Sequence, residues 1–505
     1  MAELDNNILV LIEPTIRPTD VEVQTAGEDE GLAKQTKAMG MEKPVVYVNG
    51  YEFSQEDCKR MVLSVDGKVP SIEVTMTDQK GGFSGTLYPR DGGHITLYIG
   101  SKNPDTFKAI HMDFDITGVT SPKVGLPHSR KKFRFSGKAK VPNLESEVCR
   151  ALEEATSMDH LEEISGELGL GFASNIDATD DAQTRIQPFE TTLDFISNIV
   201  DTSYVGEEAF QNFYIDQYYN LNFVEFNKIF NAPNPKGDDI QDSYASLDKT
   251  TNTAAGTDDN ADQLESKLLL TNHPSAERTT NKISQYSLEN NSLSISNSNG
   301  YKRTLQMYDD LEEERLTEFD IESFTSTNVK DNHGPLKGNL SESTYESHLK
   351  HKYIGRQQDV NLEGNVHSNY KYSLLNNYQN LIELDKLKLI VELASFNPGI
   401  YRSQKVPVTI YTQEQTDIAA QDTVEDLETE KGMDNSDKAQ DNSLREGDAD
   451  GNKGDSGVAE QRMDNFVSGH YIVGGIEYIY KDGDPSIRQR LTLLRREWPI
   501  RANTV

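Results

Sequence analysis

The stretch Ser468-Gly-His-Tyr-Ile-Val-Gly-Gly-Ile-Glu-Tyr-Ile-Tyr480, followed by Asp482-Gly483 and then Gln489-Arg-Leu-Thr-Leu-Leu-Arg495, decides the fold class. It is rich in Ile and Tyr, alternates apolar with polar residues, and is cut by an Asp-Gly turn. That combination specifies antiparallel strands. Gly474-Gly475 is expected to turn or bulge the chain. Upstream, Leu381-Ile-Glu-Leu384, Leu387-Lys-Leu-Ile-Val-Glu-Leu393 and Pro407-Val-Thr-Ile-Tyr411 also read as strands, with Asn397-Pro-Gly399 as a turn. Between the two β stretches, Thr412 to Asn465 holds 16 acids, 5 bases and no aromatic residue. Such a tract cannot bury enough apolar surface to offset the entropy of ordering it. The expectation is one β-barrel domain, 370–411 and 466–505, with a disordered acidic loop, 412–465, inserted between its strands.

A second β block lies nearer the N-terminus, at 44–144. Val45-Val-Tyr-Val48 runs into Asn49-Gly50, a hairpin signal. Ser71-Ile-Glu-Val-Thr-Met-Thr77 alternates strictly, with Ile72, Val74 and Met76 on one face. Met61–Val65, His94–Ile99, Lys108–Gly118 and Lys132–Val141 add strands separated by Gly turns. About six short strands at this spacing point to a small antiparallel barrel or sandwich.

Residues 145–235 read as an α/β domain. Leu144–Glu154 is expected to be helical. Ser157 is expected to cap a helix that carries Leu161, Ile164 and Leu168, and Thr192–Asp201 forms another with Leu193, Ile196 and Val200 on one face. Phe213–Asp216 and Leu221–Val224 are strand-like. The aromatics from Phe210 to Phe230 suit a core or an interface. Residues 236–300 form a polar insertion, with Leu268–Leu270 a short strand within it. Residues 301–369 continue the middle region, with strands near Gly300–Met307 and Phe319–Phe324. Residues 1–43 form a flexible extension in which the run Ile8–Ile12 is a strand available to a neighbouring sheet or subunit. The fold class is therefore α+β, mainly β: two small antiparallel β-barrel domains, an intervening α/β domain and acidic insertions.

Composition narrows the function. The 505-residue chain carries 83 acids against 50 bases, a formal charge of −33, and only 35 % of its residues are apolar. Phosphate recognition needs neutralising Lys and Arg, so specific nucleic-acid binding is not expected. Two cysteines, Cys58 and Cys149, cannot build a disulfide framework or a cysteine zinc site. The apolar run at 8–12 is too short for a secretion signal or a membrane anchor. His348 and His351 form an H-x-x-H pair without the spacing of zinc enzymes or a third ligand. Asp448-Ala-Asp450-Gly-Asn452 resembles a calcium loop, but Lys453 and Ala459 stand where that loop needs Gly and Glu. Phosphate-loop, nucleophile-elbow and dinucleotide motifs are missing from the sequence. No catalytic, cofactor-binding or metal residue is nominated, and neither an enzyme nor a cofactor is expected. The basic cluster Arg488, Arg490, Arg495, Arg496 and Arg501 fits either a solvated strand edge or a contact with an acidic neighbour.

Two segments carry a family resemblance. They are Phe396-Asn-Pro-Gly-Ile-Tyr401 through Pro407–Tyr411, and Ser468–Ile476 running into Leu493-Leu-Arg-Arg-Glu-Trp-Pro499. Together they resemble the closing β domain of baseplate hub proteins from contractile-tailed phages, a group that includes the late control protein D family and the hub part of type VI secretion spikes. Leu161–Phe172, Thr191–Val200 and Phe213–Val224 are similar to the α/β part of those proteins. The resemblance implies a structural virion protein, a homotrimer at the centre of the tail baseplate, adapting the sixfold tail tube to the threefold spike. Its implied partners are the spike, tail tube or tube-initiator proteins and surrounding baseplate wedge proteins, with tail assembly in the host cytoplasm. Two other readings stay open, a tail-associated cell-wall-degrading enzyme and the hub of a bacterial contractile injection machine.

Overall fold

Alternating apolar and polar residues build more than half of the described residues into strands, and the protein is α+β, mainly β. The structure is a computed structural model. It describes residues 8–20, 44–78 apart from 54–55, 83, 92–100, 108–121, 131–231 apart from 208, 269–272, 281–291, 302–308, 316–322, 333–335, 367, 369–370, 372–373, 377, 381, 384–413 apart from 398, 461–484 apart from 465–466, 487–495 and 497–499.

The first part of the chain forms β1 (Leu9–Ile12), β2 (Val45–Val48), β3 (Tyr51–Phe53), β4 (Cys58–Val65), β5 (Ser71–Asp78), β6 (His94–Ile99), β7 (Ile110–Thr120) and β8 (Lys131–Ala139). The middle forms β9 (Glu147–Ala155), α1 (Ser157–Leu168), β10 (Gly171–Ser174), β11 (Gln183–Thr191), α2 (Thr192–Asp201), β12 (Gln211–Ile215), β13 (Asn220–Glu225) and α3 (Phe226–Asn231). Then come β14 (Leu270–Thr271), β15 (Ile283–Asn290), β16 (Lys302–Tyr308), β17 (Leu316–Glu322) and β18 (His333–Pro335). The last part forms β19 (Leu387–Leu393), β20 (Lys405–Thr409), β21 (Tyr411–Gln413), β22 (Gln461–Met463), β23 (Gly469–Lys481), β24 (Arg488–Leu494) and β25 (Glu497–Pro499).

The two β blocks, separated in sequence by the whole middle region, meet in one 13-stranded sheet. Its order is β15-β19-β24-β23-β4-β5-β8-β7-β6-β2-β3, with β20 beside β23 and β14 beside β20. The join is made by the 13-residue β23. Its start, Gly469–Ile472, pairs with β20, and its end, Ile476–Lys481, pairs with β4. Residues 472–479 pair with β24. The bulge expected at Gly474-Gly475 is present, as a register shift between Val473 and Gly475. A Cβ on Gly475 would lie 2.7 Å from Asp66 Cβ and 3.0 Å from Asp66 Cα, so the backbones approach closely where the second block hands over to the first.

Period-2 patterning sets which face is buried. Met61, Leu63 and Val65 of β4, Ile72, Val74 and Met76 of β5, and Phe133 and Phe135 of β8 all point inward. From the second block, Leu389, Val391, Tyr471, Val473, Tyr478, Leu491 and Leu493 join the same cluster. Burying each such side chain contributes about 1.5–3 kcal/mol before entropy is subtracted. The Asn49-Gly50 hairpin is as expected, with φ values of 50° and 78° joining β2 to β3.

The α/β unit carries a four-stranded sheet, β1-β10-β13-β12, with β10 parallel to β13 and β1 antiparallel to β10. Helix α1 is capped one residue before the expected position. Thr156 accepts from Asp159 N–H, and the Asp159 carboxylate accepts from Thr156 N–H, so Ser157 is already helical. Helix α2 has the expected bounds.

Two expectations fail. Residues 147–155 are strand β9, paired with β11, and not part of a helix over 144–154. Val148, Ala151 and Leu152 have helical spacing, but pairing along β11 overrides that local preference. Leu381 and Leu384 are helical and not on a strand. Their i, i+3 spacing turns both toward Phe210, Tyr214 and Val224. β15 was also not foreseen: only Ile283 of its eight residues is buried, because it covers the outer end of the sheet beside β19.

Candidate functional site

Among the described residues, no three His, Cys, Asp or Glu side chains are grouped to hold a metal. Among them, too, no helix is long and apolar enough to cross a membrane. His348, His351 and the Asp448–Asp455 stretch lie outside the described residues, as do Arg496 and Arg501. The remaining candidate is the junction where the two β blocks and the α/β unit meet.

Arg402, in the loop before β20, stands at that junction. Its guanidinium carbon lies 4.2 Å from the centroid of the Tyr214 ring, on β12. Its Nη1 donates to the carbonyls of Gly67, in the turn between β4 and β5, and of Val65, the last residue of β4. The Tyr214 hydroxyl donates back to the Arg402 carbonyl over 3.0 Å. One side chain therefore ties the second β block to the first and to the α/β unit. Burial lowers the Arg402 pKa to about 10, with Tyr214 and Asp66 opposing the shift, so it stays charged at neutral pH. Burial likewise pushes the Tyr214 and Tyr478 phenols up, keeping them neutral. Beside Arg402, the Lys68 carbonyl accepts from Ile215 N–H over 2.9 Å, and the Lys68 ammonium lies 4.9 Å from the Phe213 ring centroid. The Tyr219 hydroxyl fixes the other side, accepting from Asp113 N–H on β7 over 2.8 Å.

The exposed face of the joined sheet carries interleaved charge. Glu392, Arg490, Glu477 and Ser64 follow one another in register across β19, β24, β23 and β4. Arg490 pairs with Glu477 at 3.0 Å and Glu392 at 3.6 Å, and Arg488 with Asp484 at 2.8 Å and Glu392 at 3.1 Å. Arg60 and Arg134 share Glu73 on the first block. The acidic neighbours of Arg488 and Arg490 are thus within the chain, and β24 is an inner strand, not an edge. Arg495 is buried, 5.3 Å from the centroid of the Tyr471 ring.

The aromatics at 210–230 are mostly core. Phe210, Phe213, Tyr214, Tyr219, Phe223 and Phe226 are buried by the chain itself, so their density requires no subunit interface. Exposed apolar surface lies elsewhere. Leu9, Val10 and Leu11 on β1 are about half exposed, and Phe189 on the β9–β11 ribbon is 75 % exposed at a bulge with φ of 50°. Phe189 has no signal in the sequence, because Gln183–Thr191 lacks apolar alternation and contains Pro188. The β1 strap does what the Ile8–Ile12 run suggested, adding an edge strand to a neighbouring sheet. It then runs on so that Thr15 and Ile16 donate to Gly169 O and Thr19 donates to the Asp113 carboxylate.

No family model matches the sequence, and neither does any curated protein. Among solved structures the chain is similar to the tail protein from Neisseria meningitidis, with 10 % identity and a TM-score of 0.45 over 90 % of this chain and 97 % of that one. It is also similar to the 43 kDa tail protein of prophage MuSo2 from Shewanella oneidensis, at 9 % identity and a TM-score of 0.43, covering 90 % and 98 %. A third similar structure is an E. coli component of the type VI secretion system, at 8 % identity and a TM-score of 0.36, covering 90 % and 77 %.

Proposed function

We propose that this chain is a structural virion protein that forms the trimeric central hub of a contractile-tail baseplate, joining the sixfold tail tube to the threefold spike. The observation that carries the reading is the pairing of β23 with β4, which sets two β blocks side by side in one sheet within one chain. Three such chains around an axis offer six β blocks, the number a sixfold tube requires. The short motifs at 396–411 and 468–499, which resemble the hub family, fall on the block that makes this join.

On this reading, 44–144 is the first barrel, 370–411 with 466–505 the second, and 145–235 the α/β unit against their seam. The spike, the tube or tube initiator and the baseplate wedges are the partners, and assembly takes place in the host cytoplasm. The test is mass and symmetry in solution. Light scattering should give a threefold multiple of 56.6 kDa, and negative-stain images should show a threefold ring with a central hole. A chain that remains monomeric at high concentration, both alone and with a co-expressed spike, would overturn it.

A further inference from the structure

A buried polar cluster in the α/β unit has no part in the seam. His160, on α1, and His367 are 1 % and 8 % exposed. His160 Nε2 lies 3.2 Å from the Gln183 carbonyl, and His367 Nε2 lies 2.8 Å from the Thr202 carbonyl. A carbonyl only accepts, so each Nε2 carries the proton, and each Nδ1 is a bare acceptor. Both Nδ1 atoms are buried and have no hydrogen-bond partner. Between the rings runs β11, whose Arg185 is also buried and donates to Ser157 Oγ over 2.6 Å and to Thr202 Oγ1 over 2.8 Å.

This cluster holds a distant part of the chain. His367, Tyr370 and Asn377 are buried here, ahead of β19 and the second β block in the chain. His367 N–H donates to Gln183 Oε1. Asn377 Nδ2 donates to the carbonyls of Val200, Asp201 and Ser203 at the end of α2, and its Oδ1 accepts from Gln211 N–H.

The charges facing the two rings come from every packed element. Arg185 on β11 opposes protonation of both. Asp159 and Glu163 on α1 favour protonation of His160, and Asp180 and Asp181 before β11 favour that of His367. Burial, and then Asp201 at the end of α2, raises the Tyr370 phenol. Asp181 is the buried acid of the group, and its oxygens already accept from Ser157 N–H and Tyr204 N–H, each at 2.9 Å. A proton on either imidazole adds a second positive charge beside Arg185, against the buried carboxylate of Asp181.

We propose that His160 and His367 form an acid-released clamp, which holds His367, Tyr370 and Asn377 on the α/β unit while both rings are neutral and lets them go when they are protonated. Burial is the main cause holding both rings below the ordinary imidazole value of 6.5. The sign follows: the released state takes up protons first, so the clamp is fully closed above 6.5 and loses stability as pH falls below it. Release loosens the link from the α/β unit to the second β block and leaves the β23–β4 pairing in place.

Hydrogen–deuterium exchange on the full chain tests this, comparing about pH 7.5 with about pH 5.5 after correction for intrinsic rates. Peptides covering 367–377 should exchange at least about tenfold faster at the lower pH, with β4 and β23 unchanged. The H160Q/H367Q double variant, whose amides can still donate to the two carbonyls, should lose that pH dependence. Equal protection at both pH values in the wild type overturns the proposal, as does acid release that persists in the double variant. Histidine-selective 15N NMR of the wild type gives a reading independent of the variant's folding. Both rings should be Nε2–H tautomers at neutral pH and become charged together with release, and a charged ring in the closed state overturns the clamp.

Discussion

Arg402 stacks on Tyr214, with 4.2 Å from the guanidinium carbon to the ring centroid, and the Tyr214 hydroxyl donates to the carbonyl of Arg402 itself. The pair closes a loop of contacts in which the same guanidinium also reaches the β4–β5 turn at Gly67. The two β blocks share a seam through β23, but a sheet seam alone leaves the α/β unit free to tilt. Arg402 restricts that tilt, beside the Lys68–Ile215 and Asp113–Tyr219 hydrogen bonds, because a planar donor fork can meet an aromatic face and two carbonyls at once.

Replacing Arg402 by alanine should therefore cost about 2–4 kcal/mol, since a stacked cation is lost and two carbonyls lose their donor. Lysine keeps the charge but not the plane or the fork, and should recover less than half of the loss. Thermal unfolding of R402A and R402K beside the wild type measures this. Equal melting temperatures for all three would show that Arg402 is not the tie described.

Gly171 tests the N-terminal strap. A Cβ there would come 2.3 Å from Asn220 Oδ1, 2.8 Å from the Ile12 carbonyl and 2.9 Å from Pro14 Cδ. The first two belong to a neighbouring strand and to the strap backbone. G171A should displace β1 from β10 and open residues 8–20 to proteolysis, with the 13-stranded sheet intact. An unchanged digestion pattern would mean that the strap accommodates the methyl group.

The two cysteines should differ in reactivity. Cys149 is exposed on β9, whereas Cys58 is buried on β4 and its thiol is pushed up to about 12, chiefly by burial and then by Asp482. A thiol reagent at neutral pH should modify one cysteine in the native protein and two after denaturation. A folded-state value above the ordinary 9.0 means that the native state keeps this proton longer. Its contribution to stability is full below 9.0 and is lost as pH rises toward about 12. Rapid modification of Cys58 in native protein would contradict that burial.

The strands that form the seam were legible because period-2 alternation is local: Ile72, Val74 and Met76 reveal their face within five residues. The Gly474-Gly475 bulge was legible for the same reason. That β23 pairs with β4, over 400 residues away, was not, because either strand would pattern identically beside any other partner. β9 was misread because its Val148, Ala151 and Leu152 spacing fits a helix equally well, and only β11 decides the matter. Arg402 gave no signal at all. An arginine in a polar loop becomes a junction only through Tyr214 and Gly67, which the sequence places far from it.

The bulge itself yields a paired prediction about the seam. At Gly474 an added Cβ meets the Leu494 side chain, with Cδ1 at 2.5 Å, and a leucine can change rotamer. At Gly475 the same Cβ meets Asp66 at 2.7 Å from Cβ and 3.0 Å from Cα, and a backbone in the β4–β5 turn has little room to retreat. G475A should therefore destabilise more than G474A, by about 1–3 kcal/mol against about 1 kcal/mol. The two should also differ in where they loosen the protein. Hydrogen exchange in G475A should rise at Ile476–Lys481 and at their partners Arg60–Val65, while G474A should spare β4. If the seam organises subunits as proposed, G475A should lose threefold assembly under conditions where G474A keeps it. A G475A protein with an unprotected seam but an intact trimer would separate the two claims, leaving the sheet as described and removing it as the basis of the hub.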